Sequence, residues 1–368
     1  MASKTLFEAT PPFPDDLQPV AEIATISLAK LVADDASEAQ TMLDACRHLG
    51  FFLLDLSRDT VGEEMIKEVD QVFEMVRETM DLSTEEKVKY SSDPPRDFRG
   101  YKAEGIMKTE TGAPDRCEFY SLLQDDILGN STVSPALPTP EPINSRSELL
   151  RSYFEHGHYA LKYICRALST QLHLPPETFW DLQAPTRSSG TMLRLIRYAP
   201  SLSPSDMRTG LLSHTDFGSI TLLANVTGGL QVLNPQFQPE DEAGWQWVRP
   251  RPGCLIVNMG DAMVQWTGGI LRSNMHRVKY APGEQRLVPR YSAAILTRPY
   301  KEAAMQRLAG GRIPTVEDDE REGLVIQDEG ISSLTAWEWE LKKAMALKEG
   351  KDCARSRGGR ELRAMDVA

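Results

Sequence analysis

The spacing of the apolar residues changes at Gly190, and this change constrains the fold more than any other feature of the chain. Before Gly190, apolar side chains recur at helical spacing over residues 37–49, 63–80 and 147–172. After it, the period falls to about two, in short runs separated by Gly, Pro and Asn. Helical spacing predicts amphipathic helices, whereas a series of short alternating runs is typical of a β-sandwich or jelly roll. The sequence therefore predicts helices first and a β-rich core after them.

Each predicted strand is a short apolar run that is bounded by turn residues. The continuous run at 51–56 follows a helix stop at Gly50 and predicts a buried strand. The runs after Gly190 are TMLRLIRY (191–198), SITLLA (219–224), GGLQVL (228–233), CLIVNMG (254–260), DAMVQW (261–266), MHRVKY (275–280) and PRYSAAIL (289–296).

The remaining segments are predicted to be connections, one further helix and a tail. Residues 135–142 are rich in proline, which lacks the donor that helices and ladders require, so we expect an irregular connection. The acidic residues 316–323 suggest another exposed connection. A last helix is expected at 334–346, with Trp337, Leu341 and Ala344 on one side, before a charged tail that we expect to be disordered.

Charge and cysteine content exclude several classes of function. The formal net charge is −12 and the pI is about 5.1, so no positive field attracts nucleic acid or anionic lipid. No secretory leader and no apolar run of about 20 residues is present, which predicts a soluble, cytoplasmic protein without a membrane partner. Five widely spaced cysteines suggest reduced thiols rather than a disulfide framework.

One predicted strand begins with a histidine and an aspartate two positions apart, in the sequence SHTDFGSITLL. In an extended strand, residues i and i+2 share a face, so His214 and Asp216 would project together. An imidazole and a carboxylate on one face can bind a divalent metal, although this short pattern alone is a weak signal.

The other histidines decide which residue could complete the site. The chain has six. His156 and His158 lie two apart in a helical pattern, about 200° apart around the axis, and cannot bind one ion. His48 and His173 lie at helix ends. His276 remains, and it heads a predicted strand.

If that strand lies beside the one carrying His214, then His214, Asp216 and His276 occupy one side of a metal and leave three positions open. A two-histidine, one-carboxylate facial triad with open positions is the signature of non-haem Fe(II) oxygenases. A structural zinc site would instead use four protein ligands.

A second polar pair lies in the last predicted strand. Arg290 and Ser292 share a face by the same i, i+2 spacing, and a guanidinium with a hydroxyl suits a carboxylate. An arginine in an apolar strand is costly unless it meets an anion. We therefore expect a small dicarboxylate bound between the metal and Arg290.

These residues lie in motifs that resemble a known family. The motifs are HTD (214–216), NMGD (258–261), SNMHRV (273–278) and RYS (290–292), with ACRHLGFFLL, FRGYKAEG and DRCEFY before them in order. Together they resemble the 2-oxoglutarate- and Fe(II)-dependent dioxygenases of the isopenicillin N synthase-like family, which includes plant and fungal enzymes of secondary metabolism. The resemblance extends over residues 14–300.

The resemblance implies an α+β fold with a mainly β core, a double-stranded β-helix or jelly roll with N- and C-terminal helices packed around it. It divides the chain into an N-terminal region (14–135), a connecting loop and long helix (136–187), the jelly-roll core (188–300), a C-terminal helical cover (301–347) and the tail (348–368).

The resemblance also implies the cofactors. Fe(II) would bind to His214, Asp216 and His276, and O2 would react there. The cosubstrate 2-oxoglutarate would place its far carboxylate on Arg290 and Ser292, with Tyr198 close by. Many plant members carry an asparagine two residues before that tyrosine, where this chain has Ile196. Release of succinate and CO2 would accompany hydroxylation, desaturation or cyclisation of a C–H bond in a small-molecule substrate.

Residues that could line the substrate cavity are expected near the motifs. They are Arg99, Tyr101, Glu118, Tyr120, Arg194 and Phe217. Two alternatives to the dioxygenase stay open. An oxidase of the isopenicillin N synthase type needs no 2-oxoglutarate yet also has the RXS motif, and a non-catalytic jelly roll would only bind a ligand. The sequence does not indicate the oligomeric state or the substrate.

Overall fold

The structure is a computed structural model that describes residues 6–91, 99–107, 109, 112–130, 137–203, 210–324, 331–348 and 358–360. Its helices are α1 (Leu6–Ala9), α2 (Leu28–Val32), α3 (Ala36–His48), α4 (Thr60–Asp81), α5 (Thr84–Val88), α6 (Gln124–Leu128), α7 (Glu141–Asn144), α8 (Ser147–Gln171), α9 (Thr178–Asp181), α10 (Asp261–Trp266), α11 (Val316–Glu322) and α12 (Ala336–Lys348). Its strands are β1 (Thr25–Ser27), β2 (Phe51–Asp55), β3 (Gly100–Lys102), β4 (Cys117–Leu123), β5 (Met192–Tyr198), β6 (Leu211–His214), β7 (Ile220–Asn225), β8 (Leu230–Leu233), β9 (Trp245–Trp247), β10 (Cys254–Met259), β11 (His276–Val278) and β12 (Arg290–Leu296).

The strands form two sheets. The major sheet has eight strands in the order β1-β2-β10-β7-β12-β5-β4-β3, and the minor sheet has four in the order β6-β11-β8-β9. Neighbouring strands are antiparallel, except that β1 and β2 are parallel. Two facing antiparallel sheets with helices around them form the predicted jelly roll.

Apolar side chains fill two layers. Between the sheets, Phe51, Ile196 and Ile256 of the major sheet pack with Leu230 and Val232 of the minor sheet. The other face of the major sheet packs against the long helices α3, α4 and α8. The major sheet therefore has two buried faces, which explains why β2 and β10 are almost continuously apolar.

Most predicted elements are confirmed. The helices expected at 37–49, 63–80 and 147–172 are α3, α4 and α8, and the strand expected at 51–56 is β2. The six other predicted runs that form strands are β5, β7, β8, β10, β11 and β12. Strands β1, β3, β4, β6 and β9 were not predicted, because they are three to seven residues long or lie outside the apolar runs.

The prediction of a strand at 261–266 is wrong, because these residues form helix α10. Nearly all of its side chains are buried, so the run has no polar face that would reveal a helical period. A short, continuously apolar run cannot be assigned to helix or strand from periodicity alone.

The prediction of an exposed connection at 316–323 is also wrong. Residues 316–322 form helix α11, which begins with a capping box between Thr315 and Asp318 and ends at Gly323 in a left-handed conformation. The acidic residues are not all solvated, because Asp319 is buried and forms ion pairs with Arg307 and Arg360.

The proline-rich segment and the tail differ in part from expectation. Within 135–142, residues 135 and 136 lie outside the described residues, 137–140 are irregular, and helix α7 begins at Glu141. The tail beyond residue 348 lies outside the described residues, except for 358–360. Arg360 there pairs with Asp319 and Glu322 of α11.

Helix α12 presents a different face from the one predicted. Ala344 is buried as expected, but Trp337 and Leu341 are exposed, and Trp339 and Glu340 are buried with Ala344. None of the helices that the structure describes is both long and apolar enough to cross a bilayer. The four cysteines among the described residues, Cys46, Cys117, Cys165 and Cys254, are free thiols, and Cys353 lies outside that range.

Candidate metal and cosubstrate site

Two paired strands of the minor sheet bring His214 and His276 together. His214 is the last residue of β6 and His276 the first of β11, and the two residues are direct partners in this antiparallel pair. Their ring centroids are 4.2 Å apart. The strand headed by His276 therefore does lie beside the strand that carries His214, but that strand is β6 and not the predicted run that forms β7.

Asp216 reaches the same point by a different route from the one predicted. The sequence suggested that His214 and Asp216 share the face of one strand, but β6 ends at His214 and β7 begins only at Ile220. Asp216 lies in the turn between these strands. The turn, rather than strand alternation, directs its carboxylate towards the histidines.

The three side chains present one ligand atom each to a common point. Nε2 of His214 and Nε2 of His276 each lie 3.9 Å from Oδ1 of Asp216, and all three atoms lie within 4.8 Å of one another. The Nδ1–H of His214 donates to the carbonyl of Leu212 (2.8 Å), and that of His276 to the carbonyl of Asn274 (3.2 Å). These bonds fix the tautomer that leaves Nε2 free to bind a metal.

The second oxygen of Asp216 is held by two side chains that the sequence analysis did not identify. Oδ2 accepts hydrogen bonds from Thr221 Oγ1 (2.7 Å) and Asn258 Nδ2 (2.8 Å). Thr221 lies on β7 and Asn258 on the neighbouring β10, where the two are direct partners. Asn258 is the first residue of the NMGD motif, so the motif itself was the available signal.

The rest of the NMGD motif holds the backbone of the turn that carries Asp216. The N–H of Asp261 donates to the carbonyl of Asp216 (2.8 Å), and the N–H of Gly260 donates to that of Ser219 (2.7 Å). A Cβ on Gly260 would overlap the carbonyl oxygen of Gly218. Only glycine permits this close approach.

The electrostatics of the cluster favour the protonation states that a metal requires. Burial, followed by the neighbouring His276, lowers the pKa of His214 to about 4. Burial alone would raise the pKa of Asp216, but the two histidines and the hydrogen bonds from Asn258 and Thr221 outweigh it and lower the pKa to about 2. Near neutral pH, the cluster therefore offers a neutral imidazole on His214 and a carboxylate.

The donor set fits a ferrous ion. The match is one of ligand type, because two cis ligand atoms that bind one first-row metal at about 2.1 Å lie about 3.0 Å apart, and the two 3.9 Å separations would shorten by roughly 1 Å when the ion binds. The side chain of His214 keeps 28% of its surface exposed, so small molecules can reach the cluster. Two nitrogens and one oxygen on one side of an ion leave positions for other ligands.

Arg290 and Ser292 lie side by side on the inner face of β12, as predicted. Nη1 of Arg290 donates to Ser292 Oγ (3.3 Å) and Nε to the carbonyl of Gly228 (2.8 Å). The guanidinium carbon lies 5.0 Å from the ring centroid of Tyr198, which is its direct partner on β5. Among the described residues, no carboxylate pairs with Arg290, and burial lowers its pKa.

A cavity beside Arg290 is markedly cationic. Arg290 and Tyr198 line it together with Arg116, Lys279 and Arg286, and its lining residues include no described carboxylate. This end of the inner face is suited to an anion.

The Ile196 side chain offers nothing polar to a cosubstrate. It lies on the inner face of β5, beside Ser292 of β12 and Phe119 of β4, and is part of the apolar layer between the sheets. Any hydrogen bond that an asparagine makes at this position in plant relatives is therefore missing here.

The candidate substrate residues are divided between two faces of the major sheet. Arg194 lies on the inner face of β5, four residues before Tyr198, and Phe217 follows Asp216 in the metal turn. Glu118 and Tyr120 alternate with the inward Phe119 along β4 and lie on the opposite face. The structure thus brings Arg194 and Phe217 close to the metal cluster and directs Glu118 and Tyr120 away from it.

The outward residues form a buried polar network. Glu118 accepts hydrogen bonds from Tyr101 and Lys87 and pairs with Arg197. These contacts give Tyr101 of the FRGY segment and Glu118 of the EFY segment a structural role. Arg99 lies 3.5 Å from Asp126 at a second cavity, between β4, α6 and α7.

The C-terminal helix contacts the metal turn. Lys343 of α12 pairs with the carboxylate of Asp261, which also accepts a hydrogen bond from Thr215 (3.2 Å). The Lys343 ammonium lies 5.8 Å from the ring centroid of Phe217. The sequence analysis expected a cover here but not this ion pair, because nothing in the sequence relates α12 to Asp261, which lies 82 residues earlier.

Two family models match the chain. The 2OG-Fe(II) oxygenase superfamily model matches residues 190–299, which contain the metal cluster and the RYS motif. The model described as non-haem dioxygenase in morphine synthesis, N-terminal, matches residues 22–139, which contain β1 to β4.

Curated relatives and solved structures agree with these matches. The chain is 31% identical over 326 residues to a 2-oxoglutarate-dependent dioxygenase of Aspergillus fumigatus, with 83% of each chain covered. It is 32% identical over 302 residues to the 2-oxoglutarate-dependent dioxygenase frbH of Dothideomycetidae sp., covering 80% of this chain and 87% of the relative. A full-length Neurospora crassa protein, solved in complex with alpha-KG and 5-formyluracil, shares the fold with a TM-score of 0.71 at 21% identity, over 90% of this chain and 98% of that one.

Proposed function

The chain belongs to the 2OG-Fe(II) oxygenase superfamily and is a 2-oxoglutarate-dependent dioxygenase, and from that premise we propose which of its residues carry the reaction. His214, Asp216 and His276 hold Fe(II). Arg290 and Ser292, with Tyr198 close by, hold the far carboxylate of 2-oxoglutarate. The observation that carries the proposal is the convergence of Nε2, Oδ1 and Nε2 on one point, with a buried arginine on the same inner surface that pairs with no described carboxylate.

The bound groups supply the redox chemistry. When bound, Fe(II) and 2-oxoglutarate would supply the chemistry by which O2 is consumed, the keto acid is converted to succinate and CO2, and a substrate C–H bond is hydroxylated or loses hydrogen. The protein positions the reactants. The Nδ1–H bonds of the histidines orient the rings, Thr221 and Asn258 leave one oxygen of Asp216 for the metal, and Arg290 fixes the distance between the cosubstrate and the cluster.

We propose a small molecule of secondary metabolism as the substrate. Curated relatives that support this are fungal 2-oxoglutarate-dependent dioxygenases, including ecdG of Aspergillus rugulosus, 29% identical over 289 residues. The inward residues Arg194 and Phe217 are proposed to line the substrate cavity. Tyr101, Glu118 and Tyr120 act in the stability of the sheet instead.

An anaerobic titration tests the site, and a turnover assay tests the reaction. Fe(II) and 2-oxoglutarate added to the wild-type protein should produce a weak visible charge-transfer band, which Asp216→Ala should lack while retaining the wild-type circular dichroism spectrum. Uptake of O2 should require 2-oxoglutarate and yield succinate. Uptake of O2 that proceeds without 2-oxoglutarate would identify an oxidase, and full activity of the Asp216→Ala protein would contradict the metal assignment.

A further inference from the structure

Arg194 is a second arginine on the inner surface that no described carboxylate neutralises. Its Nε donates to Ser121 Oγ (3.2 Å), and its Nη2 lies 3.5 Å from the sulfur of Met192. The guanidinium carbon lies 4.5 Å from the ring centroid of Phe119. Throughout the described ranges, no Asp or Glu lies within ion-pair distance of it.

Neighbouring arginines show that carboxylate pairing is the rule in this part of the fold. Arg197, three residues later on the same strand, pairs with Glu118 and Asp81 on the outer face. Arg298, which follows β12, pairs with the buried Glu340 of α12. By contrast, Arg194 and Arg290, on the inner face of the major sheet, pair with no described carboxylate.

Keeping the Arg194 guanidinium charged at this position costs free energy. Burial, followed by the nearby positive charge of Arg298, lowers the pKa of Arg194 to about 10. A guanidinium withdrawn from water is unfavourable unless an anion compensates it. Stacking on Phe119 and the bond to Ser121 orient the group but supply no negative charge.

The position of Arg194 points to the compensating anion. Its side chain lies on the inner face of β5, near enough for its charge to interact with Asp216 and His214, and Asp216 offsets the effect of burial only in part. On the adjoining strand β12, its direct partner is the small Ala294. Arg290 lies at the other end of this surface, level with Tyr198. The inner face therefore offers two separate guanidinium groups, of which the proposed cosubstrate site uses one.

We propose that Arg194, oriented by Ser121 and Phe119, binds a carboxylate of the substrate, so that the enzyme oxidises a small organic acid. This inference rests on the proposed function, because it takes the metal cluster as the reaction centre. A guanidinium binds a carboxylate through two parallel N–H groups and would fix the substrate's orientation relative to the metal. The 1-carboxylate of 2-oxoglutarate is the other possible source of the same chemistry, and the experiment must separate the two.

The first measurement compares the affinity for 2-oxoglutarate in three proteins. Anaerobic titration of the Fe(II) protein, followed by the charge-transfer band, should give an unchanged dissociation constant for Arg194→Met, within about twofold of wild type, and a value raised roughly a hundredfold for the matched variant Arg290→Met. An increase of tenfold or more for Arg194→Met would assign the arginine to the cosubstrate and overturn the proposal. Absence of the band in wild type would instead count against the proposed function.

The second measurement uses bromide as the probe for the anion site. Crystals of the protein with Mn(II) and 2-oxoglutarate, soaked in sodium bromide, should show an anomalous peak at the Arg194 guanidinium in wild type and in Arg194→Lys, but not in Arg194→Met. Bromide elsewhere on the same crystals controls for the soak. Wild-type crystals without bromide at Arg194, or with a 2-oxoglutarate carboxylate occupying that position, would overturn the proposal.

Discussion

The two oxygens of Asp216 have different neighbours, and this difference prepares the residue for its proposed role. Oδ2 is engaged by Thr221 and Asn258, whereas Oδ1 faces both histidines. A carboxylate fixed in this way loses little freedom when it binds a metal. The hydrogen-bond partners of a metal ligand therefore contribute to affinity without touching the ion.

Asn258→Ala should weaken binding of Fe(II) or Mn(II) by roughly 10- to 100-fold, because it frees the Asp216 carboxylate to rotate. Metal titration of the apoprotein measures the effect. Asn225→Ala is the matched control, since it removes another buried amide, bonded to the carbonyl of Thr227 (3.2 Å), that does not contact Asp216. Equal losses of metal affinity in the two variants would contradict the role of Asn258.

Arg290→Lys should raise the dissociation constant for 2-oxoglutarate by less than Arg290→Met, since lysine keeps the charge but not the two parallel donors. The increase for Arg290→Met should reach roughly a hundredfold, the cost of removing one partner of a desolvated charge pair. Metal affinity without 2-oxoglutarate should not change in either variant. A loss of metal affinity would mean that Arg290 supports the fold of the cluster instead.

The sequence was sufficient to identify polar residues that stand out within apolar runs. It was insufficient for residues whose role depends on which residue they face on the neighbouring strand. Of the polar residues identified, the structure brings His214, Asp216 and His276 together as one group, and Arg290 and Ser292 as another. The roles of Thr221 and Asn258 follow from the pairing of β7 with β10, which no local pattern encodes. The face on which Glu118 lies could not be predicted, because β4 had not been identified as a strand and strand alternation decides that face.

At the scale of elements, helix α12 is attached to the core by two buried ion pairs with different neighbours. Lys343 pairs with Asp261 beside the metal turn, and Glu340 pairs with Arg298 at the end of β12. Both pairs anchor the same helix. Only the first is bonded, through Asp261, to the backbone of Asp216.

Lys343→Met should lower both stability and metal affinity, because among the described residues it leaves the buried Asp261 carboxylate with only the Thr215 hydroxyl as a side-chain partner. We expect about 3 kcal/mol less free energy of unfolding in urea and roughly tenfold weaker metal binding. Glu340→Gln is the matched control. It should lower the free energy of unfolding by a similar amount but leave the metal affinity as in wild type. Unchanged metal affinity in Lys343→Met would show that α12 only covers the turn.

Element type was predictable wherever an amphipathic period or an alternation could be seen. Helices α3, α4 and α8 have one apolar face and were predicted within about three residues at each end. Helix α10 is buried on all sides and was mistaken for a strand, and α11 was taken for a loop because its charges, which form ion pairs in the fold, suggested exposure.

At the scale of the whole molecule, one buried histidine makes the free energy of unfolding depend on pH. His158 of α8 lies between Phe154 and Trp180, with Nε2 2.5 Å from Gln124 Oε1. Burial lowers its pKa from 6.5 to about 4. Between these values, the unfolded chain binds a proton that the folded protein does not, so the stabilisation is complete above pH 6.5 and is lost as the pH falls towards 4.

His158→Gln should therefore reduce the stability lost on acidification. The titration of His158 accounts for about 2 kcal/mol between pH 7 and pH 5. Urea unfolding of the metal-free protein at both pH values measures this difference for wild type and variant. A variant that loses as much stability as wild type over this interval would contradict the assigned pKa.

The major sheet contains strands from both segments of the chain that the two family models match, residues 22–139 and residues 190–299. Strand β2 lies between β1 and β10, Phe51 is the direct partner of Asn258, and its ring contacts His276 edge-on at 5.6 Å. Recombination between relatives would consequently succeed only when β2 and β10 come from the same parent. A crossover between these strands would join two surfaces from different parents directly behind the proposed iron ligands.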